Sequence, residues 1–584
     1  MEHRLEQLLR SSMKLLRTLF TGIPAVTLVS ALAAGAVAGT MAIRNTSIGW
    51  HLATGRWIAD QLAVPETDPF AFTAVGTRWV DHEWLFQLSV AVIDLVGGTP
   101  ALVAARACII ALLAVVLMLI GVRGGLTPSA ALIMSILCIL GARPRFFLRP
   151  ELVTLVVVPI VLWFYANRRE FHSPAWLLPI AALTAIGINA HGAVVIVPVL
   201  MAGMLAADLA QQTATRRWQG RVLASGAVGL FTASVALLAN PYGWRVLAVP
   251  IHLSKLIDQP HIPNPEWISP SMAQAPALYL AVGVGLMTLA AGERRADRWL
   301  LFVMVSALAF RHIRNLGLFF VVLPVALAPS LAGWNLLRAR TLGPRRRRPF
   351  RILAAGGAVI LVLAGVAGSR RPLGAGWAPD YYPTGACNFL DDHNLPSSGL
   401  YNDVRFGGYL INRYGPERKV FIDDRNEIHD RLLFEMWQLM GRSDAAGWAE
   451  MMRRYALDTA LVRYHPMIEV STPDGRQLGR RGFSALWFPA HEWALVYWDD
   501  VAMVLLRRDA ADSDLLARFE YTAIRPDDLE YVQQRLLSEP RFALLAGAEA
   551  ARALEADPDN EIAFAILRVV NELSARTPPA LTAP

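Results

Sequence analysis

The stretch RNTSIGWHLATGRWIADQLAVPETDPFAFTAVGTRWVDHEW, Arg44 to Trp84, decides how the rest of the chain is read. It follows a long apolar run, Ile23 to Ile43, yet it carries His51, Glu66, Asp68, Asp81, His82 and Glu83 among several tryptophans. A polar, acidic, aromatic loop pinned between membrane-length runs is where a membrane enzyme would keep its acids and a platform for substrate. The plainer reading is a solvated loop edged by interfacial tryptophans.

Working outward, composition agrees with a membrane setting. The chain has 584 residues, of which 54% are hydrophobic and 17% charged, and its mean hydropathy is positive. That describes an integral membrane protein with room for a soluble domain. Residues 1–22 are basic, and the run after them is too long for a signal-peptide core, so it reads as a retained first span. The net charge of +8 does not point to nucleic acid, because the arginines gather in short connectors: Arg168-Arg169, Arg216-Arg217 with Arg221, Arg294-Arg295 with Arg298, and Arg345 to Arg348. This is the positive-inside pattern. Three cysteines are too few for a disulfide framework.

A span needs about 20 apolar residues. Candidates are 23–43, 98–121, 127–142, 150–166, 175–190, 192–210, 222–239, 275–291, 298–311, 314–333 and 351–368. These amount to about eleven spans in a region 23–368, with 44–97 as its outer loop. Glu83 to Val96 is a further helix candidate, assigned to the interface so that the alternation of sides holds. With a cytoplasmic N-terminus, every basic connector then falls inside. Loops rich in His, Asn, Trp, Pro and acids fall outside: RPRFFLRP (Arg143 to Pro150), the His191-Gly192 break, 240–274 and Arg311 to Asn315.

Beyond 368 the composition changes. Short strand-like runs at Gly399–Asn402, Lys419–Ile422, Thr459–Val462, Leu495–Trp498 and Ala502–Leu506 alternate with helical patterns such as Arg431–Met440 and Asp444–Tyr455. Residues 369–525 therefore read as a soluble α/β domain on the outer side. The tail, 526–584, reads as a helix pair about a D-P-D-N turn and resembles one tetratricopeptide unit.

Several side chains could carry chemistry. Asp81 or Glu83 could serve as general base or hold a divalent cation such as magnesium or manganese, and burial beside aromatic rings would raise a carboxylate toward working pH. Glu66 and Asp68, which flank a turn before Pro69, read first as turn formers. His51 could bind a phosphate or a metal, or be a packed core histidine. His191 has almost no loop around it and must sit at a membrane boundary or in a polar cavity. The outer arginines Arg143, Arg145, Arg149, Arg311 and Arg314 run against the positive-inside rule. They could hold a phosphate in bidentate fashion or pair with Glu151, Glu266 and the first-loop acids. In the soluble part, Asn402-Asp403, Arg405 and the Asp423-Asp424-Arg425 run read as a turn with a surface ion pair. The chain contains no G-x-S-x-G, H-E-x-x-H, paired CxxC or Walker A sequence, so hydrolase, zinc-protease and ATPase readings find no support.

Taken in order, these features resemble the GT-C superfamily of polytopic glycosyltransferases. The runs GWHLATGRWI, VPETDPFAFT, DHEWL, RPRFFLRPE, NAHG, NPYG, PEWISP, RHIRN and YNDVRFGGYLINRYGPERKVFIDDRN look like a bacterial branch of GT-C-like proteins. The resemblance implies a polyprenyl-phosphate-linked sugar as donor, an acceptor not identified by sequence, inversion at the anomeric carbon, and a bacterial inner membrane. It implies Asp81 or Glu83 as base or cation ligand. The phosphate would fall to His191, Arg145, Arg149 and Arg314, with His51, Arg143, Glu266 and Arg311 also about the substrate. The domain after 369 would bind acceptor or a protein partner. One departure stands out: GT-C enzymes commonly carry an acid soon after the first span, whereas this chain has Asn45 to Gly49 there. A non-catalytic scaffold of envelope glycan assembly is the main alternative. A transporter is a third; it would call for internal repeats and broken helices with charges at mid-span, a combination the sequence does not display.

Overall fold

A computed structural model describes residues 21–250, 266–334, 373–396, 399–471 and 477–576, with a few isolated positions between 356 and 367. The basic N-terminus, most of the expected span 351–368, the arginine run at 345–348 and part of the 240–274 loop lie outside the described residues. The chain divides into two compact units, Met1–Glu66 with Trp79–Trp377, and Thr67–Arg78 with Ala378–Pro584.

The first unit is helical. Its helices are α1 (Ala25–Gly39), α2 (Ile48–Gln61), α3 (Trp84–Arg123), α4 (Pro128–Ala142), α5 (Glu151–Ala166), α6 (Leu177–Ala190), α7 (Ile196–Thr215), α8 (Gly220–Ala236), α9 (Pro276–Gly292), α10 (Ala296–Arg311) and α11 (Leu316–Ala332). Every expected span from 23 to 333 overlaps one of them. Among the described residues, three stretches are long and apolar enough to cross a membrane, Trp84–Arg123, Gly192–Thr215 and Ile313–Ala332, and five shorter apolar helices accompany them.

Local sequence explains the boundaries. Thr127 caps α4, its hydroxyl accepting from Ala130 N at 3.1 Å, and Pro128 follows at the first helical position, where no amide is needed. The Glu83–Val96 candidate is the first part of α3, bent from the rest at Gly97-Gly98; Gly98 has φ 61° and ψ −159°, a conformation that favours glycine. The carbonyls at the end of α1 are met from across the bundle. Buried Arg106 donates to Gly39 O at 2.8 Å and also to Met41 O, satisfying acceptors that helix α1 leaves open.

Helix α5 shows how polar chemistry is distributed. Beyond its C-terminal end, Arg168 and Arg169 pair with Asp208, Arg295 pairs with Asp297 at 2.5 Å, and Arg298 reaches Glu293 at 3.3 Å. At its N-terminal end, Glu151 pairs with Arg145 at 2.6 Å. The 16 residues of α5 separate these two ionic sets by ~24 Å.

The second unit is α/β. Strands β1 (Gly399–Asn402), β2 (Leu457–Arg463), β5 (Trp493–Trp498) and β6 (Ala502–Arg507) form a sheet ordered β1-β2-β6-β5, and β3 (Ile468–Ser471) pairs with β4 (Gln477–Arg481) separately. β1 and β2 are parallel, with Leu400 opposite Thr459, whereas β6 runs antiparallel to both neighbours, with Leu461 opposite Val504 and Leu495 opposite Leu505. The expected strand at Lys419–Ile422 does not form. That run makes a single bridge, Val420 to Ala71, and its apolar character reflects burial of Val420, Phe421 and Ile422 in the core. The β3–β4 hairpin was not apparent in the sequence, since its strands are short and mostly polar. Helices Pro540–Ala556 and Glu561–Arg576 flank the D-P-D-N turn and send Phe542, Ala546, Ala550 and Val570 into the same core as Tyr401, Trp448 and Leu505.

Candidate functional site

The acids of the first loop are held by helix-to-helix contact. On α2, Gly55 lies so close to α3 that a Cβ there would sit 2.1 Å from Gln87 O. One turn earlier on α2 is His51, and one turn earlier on α3 is Glu83, so the close approach brings these two together. His51 Nδ1 lies 3.9 Å from Glu83 Oε2, and His82 Nε2 lies 3.5 Å from Glu83 Oε1. The His51 ring is buried between Trp50 at 3.7 Å and Phe86 at 5.3 Å.

Asp81 is fixed from α3. Gln87 Nε2 donates to its Oδ1 at 2.6 Å, while its Oδ2 is buried and meets no hydrogen-bond donor among the described residues. Burial, and then the neighbouring Glu83 charge, push the Asp81 carboxyl up to about 7. Glu83 is the more open acid, with 15% of its side chain exposed.

The turn between α6 and α7 joins these acids to the arginines. Trp84 Nε1 donates to Asn189 Oδ1 at 2.8 Å, and Asn189 Nδ2 donates to Ala239 O at 2.6 Å, tying the NAHG and NPYG turns to the start of α3. His191 follows, its Nδ1 2.7 Å from Thr154 Oγ1. At Gly192 a Cβ would lie 2.6 Å from His82 Cδ2, so a side chain there would have to displace the His82 ring. Burial, then the charges of His82, Arg314 and Arg145, hold the His191 imidazole well below its usual range. It is therefore neutral at physiological pH.

Past His191 lies the arginine cluster. Arg145 grips Glu151 at 2.6 Å and reaches Glu266 at 3.2 Å, and Arg149 Nη1 donates to Glu266 Oε1 at 2.8 Å. Arg149 Nε donates to Asn45 Oδ1 at 2.8 Å, and Asn45 Nδ2 donates to Leu148 O at 2.9 Å. The RHIRN turn closes the set through its backbone: Arg314 N donates to Glu266 O at 3.1 Å, and the Arg314 guanidinium lies 4.4 Å over the Trp267 ring. Burial alone would raise Glu266, but Arg149 and Arg145 pull it down to about 2, so it stays charged. Among these five side chains, Arg145, Arg149 and Arg314 face only Glu151 and Glu266, leaving one positive charge in surplus.

Of the residues singled out from sequence, the first unit thus gathers His51, Asp81, Glu83, His191, Arg145, Arg149, Glu266 and Arg314. Arg143 is buried in the same turn, and Arg311 is exposed with its Nε 3.1 Å from His312 Nε2. Sequence reasoning assigned no role to His82, Gln87, Thr154, Trp84 or Asn189. Gln87 had a signal, since it stands four residues after Glu83 on a helix that would share its face. In the second unit, the expected surface ion pair is instead buried: Arg425 sits between Asp423 at 2.6 Å and Asp68 at 2.7 Å, and all three side chains are fully inaccessible. Asp68 also forms its turn as expected, accepting from Ala71 N at 2.8 Å.

A cation fits this donor set poorly. Among the described residues no three or more His, Cys, Asp or Glu side chains are grouped to hold a metal ion. One oxygen of Asp81 is committed to Gln87, and Glu83 already has an imidazole near each oxygen.

Similarity searches place this geometry in a known architecture. No protein-family model matches the sequence, and no curated protein matches it significantly. Solved structures do. The Archaeoglobus fulgidus oligosaccharyltransferase in its apo form aligns with a TM-score of 0.55 at 12% identity, covering 80% of this chain and 79% of that one. The same organism's oligosaccharyltransferase AglB, in complex with an inhibitory peptide and a dolichol-phosphate, aligns at 0.56 and 11% identity, covering 95% and 86%. A third structure of it, a complex with Zn and sulfate, aligns at 0.52 and 12%, covering 96% and 87%.

The fold is GT-C-like.

The 95% of this chain that aligns includes residues of both units. In this GT-C-like chain Asn45 stands soon after α1, and its amide holds Arg149 and Leu148 in place.

Proposed function

We propose that this protein is a membrane glycosyltransferase that moves a sugar from a polyprenyl-phosphate-linked donor to an acceptor. The observation that carries this reading is the continuity of two kinds of group within one unit. The acids Asp81 and Glu83 reach, through His82, Gly192 and His191, a cluster of three arginines facing two carboxylates. The dolichol-phosphate in the AglB complex supports a lipid phosphate as the donor's leaving group.

The chemistry follows from where charge moves. The acceptor oxygen or nitrogen bonds to the anomeric carbon, the bond from that carbon to the phosphate oxygen breaks, and the electron pair leaves with the lipid phosphate. The proton released by the acceptor goes to a carboxylate. Glu83 is the acid open enough to receive it, with Asp81 behind it and His51 and His82 on either side. The surplus positive charge of Arg145, Arg149 and Arg314 receives the developing phosphate charge through planar, bidentate donors. Neutral His191 can donate one hydrogen bond there without adding charge. Arg143, Arg311 and Glu266 would lie about the same substrate. Asp81 and Glu83 are the acids that would hold a magnesium or manganese ion, although among the described residues no group of three or more His, Cys, Asp or Glu is arranged to bind one, and no step here requires it.

By the same reading, the chain sits in a bacterial inner membrane with its N-terminus and basic connectors in the cytoplasm. The α/β unit would lie outside, where it can bind acceptor or a protein partner. The test is turnover of a polyprenyl-phosphate sugar in membranes carrying Asp81→Ala with Glu83→Ala. A base contributes about 10²–10⁴-fold, so the rate should fall by at least that range's lower bound. Unchanged turnover removes both acids from the mechanism. A second reading, a non-catalytic scaffold, is favoured by the amide at Asn45 and predicts no turnover in the parent protein either.

A further inference from the structure

Residues Thr67–Arg78 leave the helical unit and return to it, yet they belong to the α/β unit. The neck of this excursion is closed: Trp79 N donates to Glu66 O at 2.9 Å, Asp68 N donates to Thr77 O at 3.1 Å, and Thr67 and Arg78 form an antiparallel bridge. Its far end is gripped by a short segment, Val420 to Arg425. Phe72 N donates to Val420 O at 3.1 Å, Val420 N donates to Phe70 O at 2.9 Å, and Thr73 Oγ1 donates to Phe421 O at 2.5 Å.

The strongest hold is ionic. Arg425 Nη1 donates to Asp68 Oδ1 at 2.7 Å, while its Nε and Nη2 form a fork onto Asp423 at 2.8 and 2.6 Å. His429 Nε2 lies 3.0 Å from Asp423 Oδ2, and the Arg425 guanidinium lies 5.6 Å over the Phe70 ring. With no solvent reaching any of the three charged side chains, removing one partner strands a buried charge.

What this strap leads into gives it a consequence. Trp79, the first residue after it, is buried and packs edge-on to Trp50, beside His51, and Asp81 stands two residues further on. We infer that Arg425 is a positioning residue: by anchoring Asp68 and the strap it sets the course of the chain into Asp81, His82 and Glu83. This rests on the reading of those acids given above. Arg425 touches no substrate. It acts through the peptide, and it ties the α/β unit to the rate of transfer rather than to capture of the donor.

Two variants test this in the full-length protein. Asp68→Asn removes the charge and keeps the shape, and Arg425→Lys keeps the charge but not the fork. Turnover should fall at least tenfold in Asp68→Asn and less in Arg425→Lys, since small displacements of a reacting group cost up to about 10²-fold. Affinity for undecaprenyl phosphate, a donor fragment read by the arginines, should stay within twofold, and the trypsin-resistant fraction should be unchanged. Unchanged turnover in Asp68→Asn overturns the inference. So does a loss that merely matches the loss of trypsin-resistant protein. The double acid variant runs alongside: turnover surviving there overturns the acid assignment and this inference with it, whereas turnover lost there but intact in Asp68→Asn overturns this inference alone.

Discussion

Asp81 is a buried carboxyl with one oxygen bonded to an amide and the other facing no donor among the described residues. Burial first and Glu83 second lift it to about 7. Because that lies above the ordinary carboxylate value, the group favours the fold at low pH and withdraws that contribution as pH rises through about 7. Infrared difference spectra should show a protonated carboxyl band that disappears across that pH, is missing in Asp81→Asn, and moves to lower pH in Glu83→Gln, where one repelling charge is gone. Among the arginines, Arg149 is the cleaner probe, because Arg145 is buried against two carboxylates. Arg149→Ala should weaken undecaprenyl phosphate binding about tenfold, the size of one lost charge-assisted hydrogen bond. Equal affinity in titration calorimetry would return these arginines to a purely structural role. Residue identities were largely legible: the acids, His191 and the arginines all announced themselves as charges in unusual company. Their partners did not, because nothing local marks Thr154 or Asn189 as the neighbour of a residue more than thirty positions away.

Among the elements, two glycines decide whether the loops can meet. Gly55 admits Gln87 against α2, and Gly192 admits the His82 ring. Gly192→Val should therefore force His82 and His191 apart, cutting turnover at least tenfold while the apolar spans still insert. Retained turnover in that variant would mean that the two loops need not touch. The helices were readable from their apolar runs, and so were β1, β2, β5 and β6, since each is a short β-branched or aromatic run with a turn beside it. Val420 to Ile422 has the same look but is buried with only the isolated Val420–Ala71 bridge among the described residues, a distinction that composition does not carry. The strap was illegible for a different reason. Asp68 and Arg425 lie 357 positions apart, and only the folded chain brings them within bonding distance.

For the molecule as a whole, the separation of the Arg145 cluster from the Arg168–Arg298 network by the length of α5 predicts two differently accessible faces. In a cysteine-free background, Leu62→Cys should label from the periplasmic side and Arg217→Cys only after the inner membrane is opened. Labelling of both from one side would contradict the proposed topology. Helix α5 has a further consequence. Its ~24 Å between ionic clasps is shorter than the ~30 Å hydrocarbon thickness of an ordinary bilayer, and any tilt shortens it further. With both clasps at headgroup level, a bilayer around the helical unit would have to thin to match them, which would bring the phosphate of the proposed donor toward the arginines. Reconstituted into short-chain lipids, the protein should work without that deformation and turn over faster than in long-chain ones.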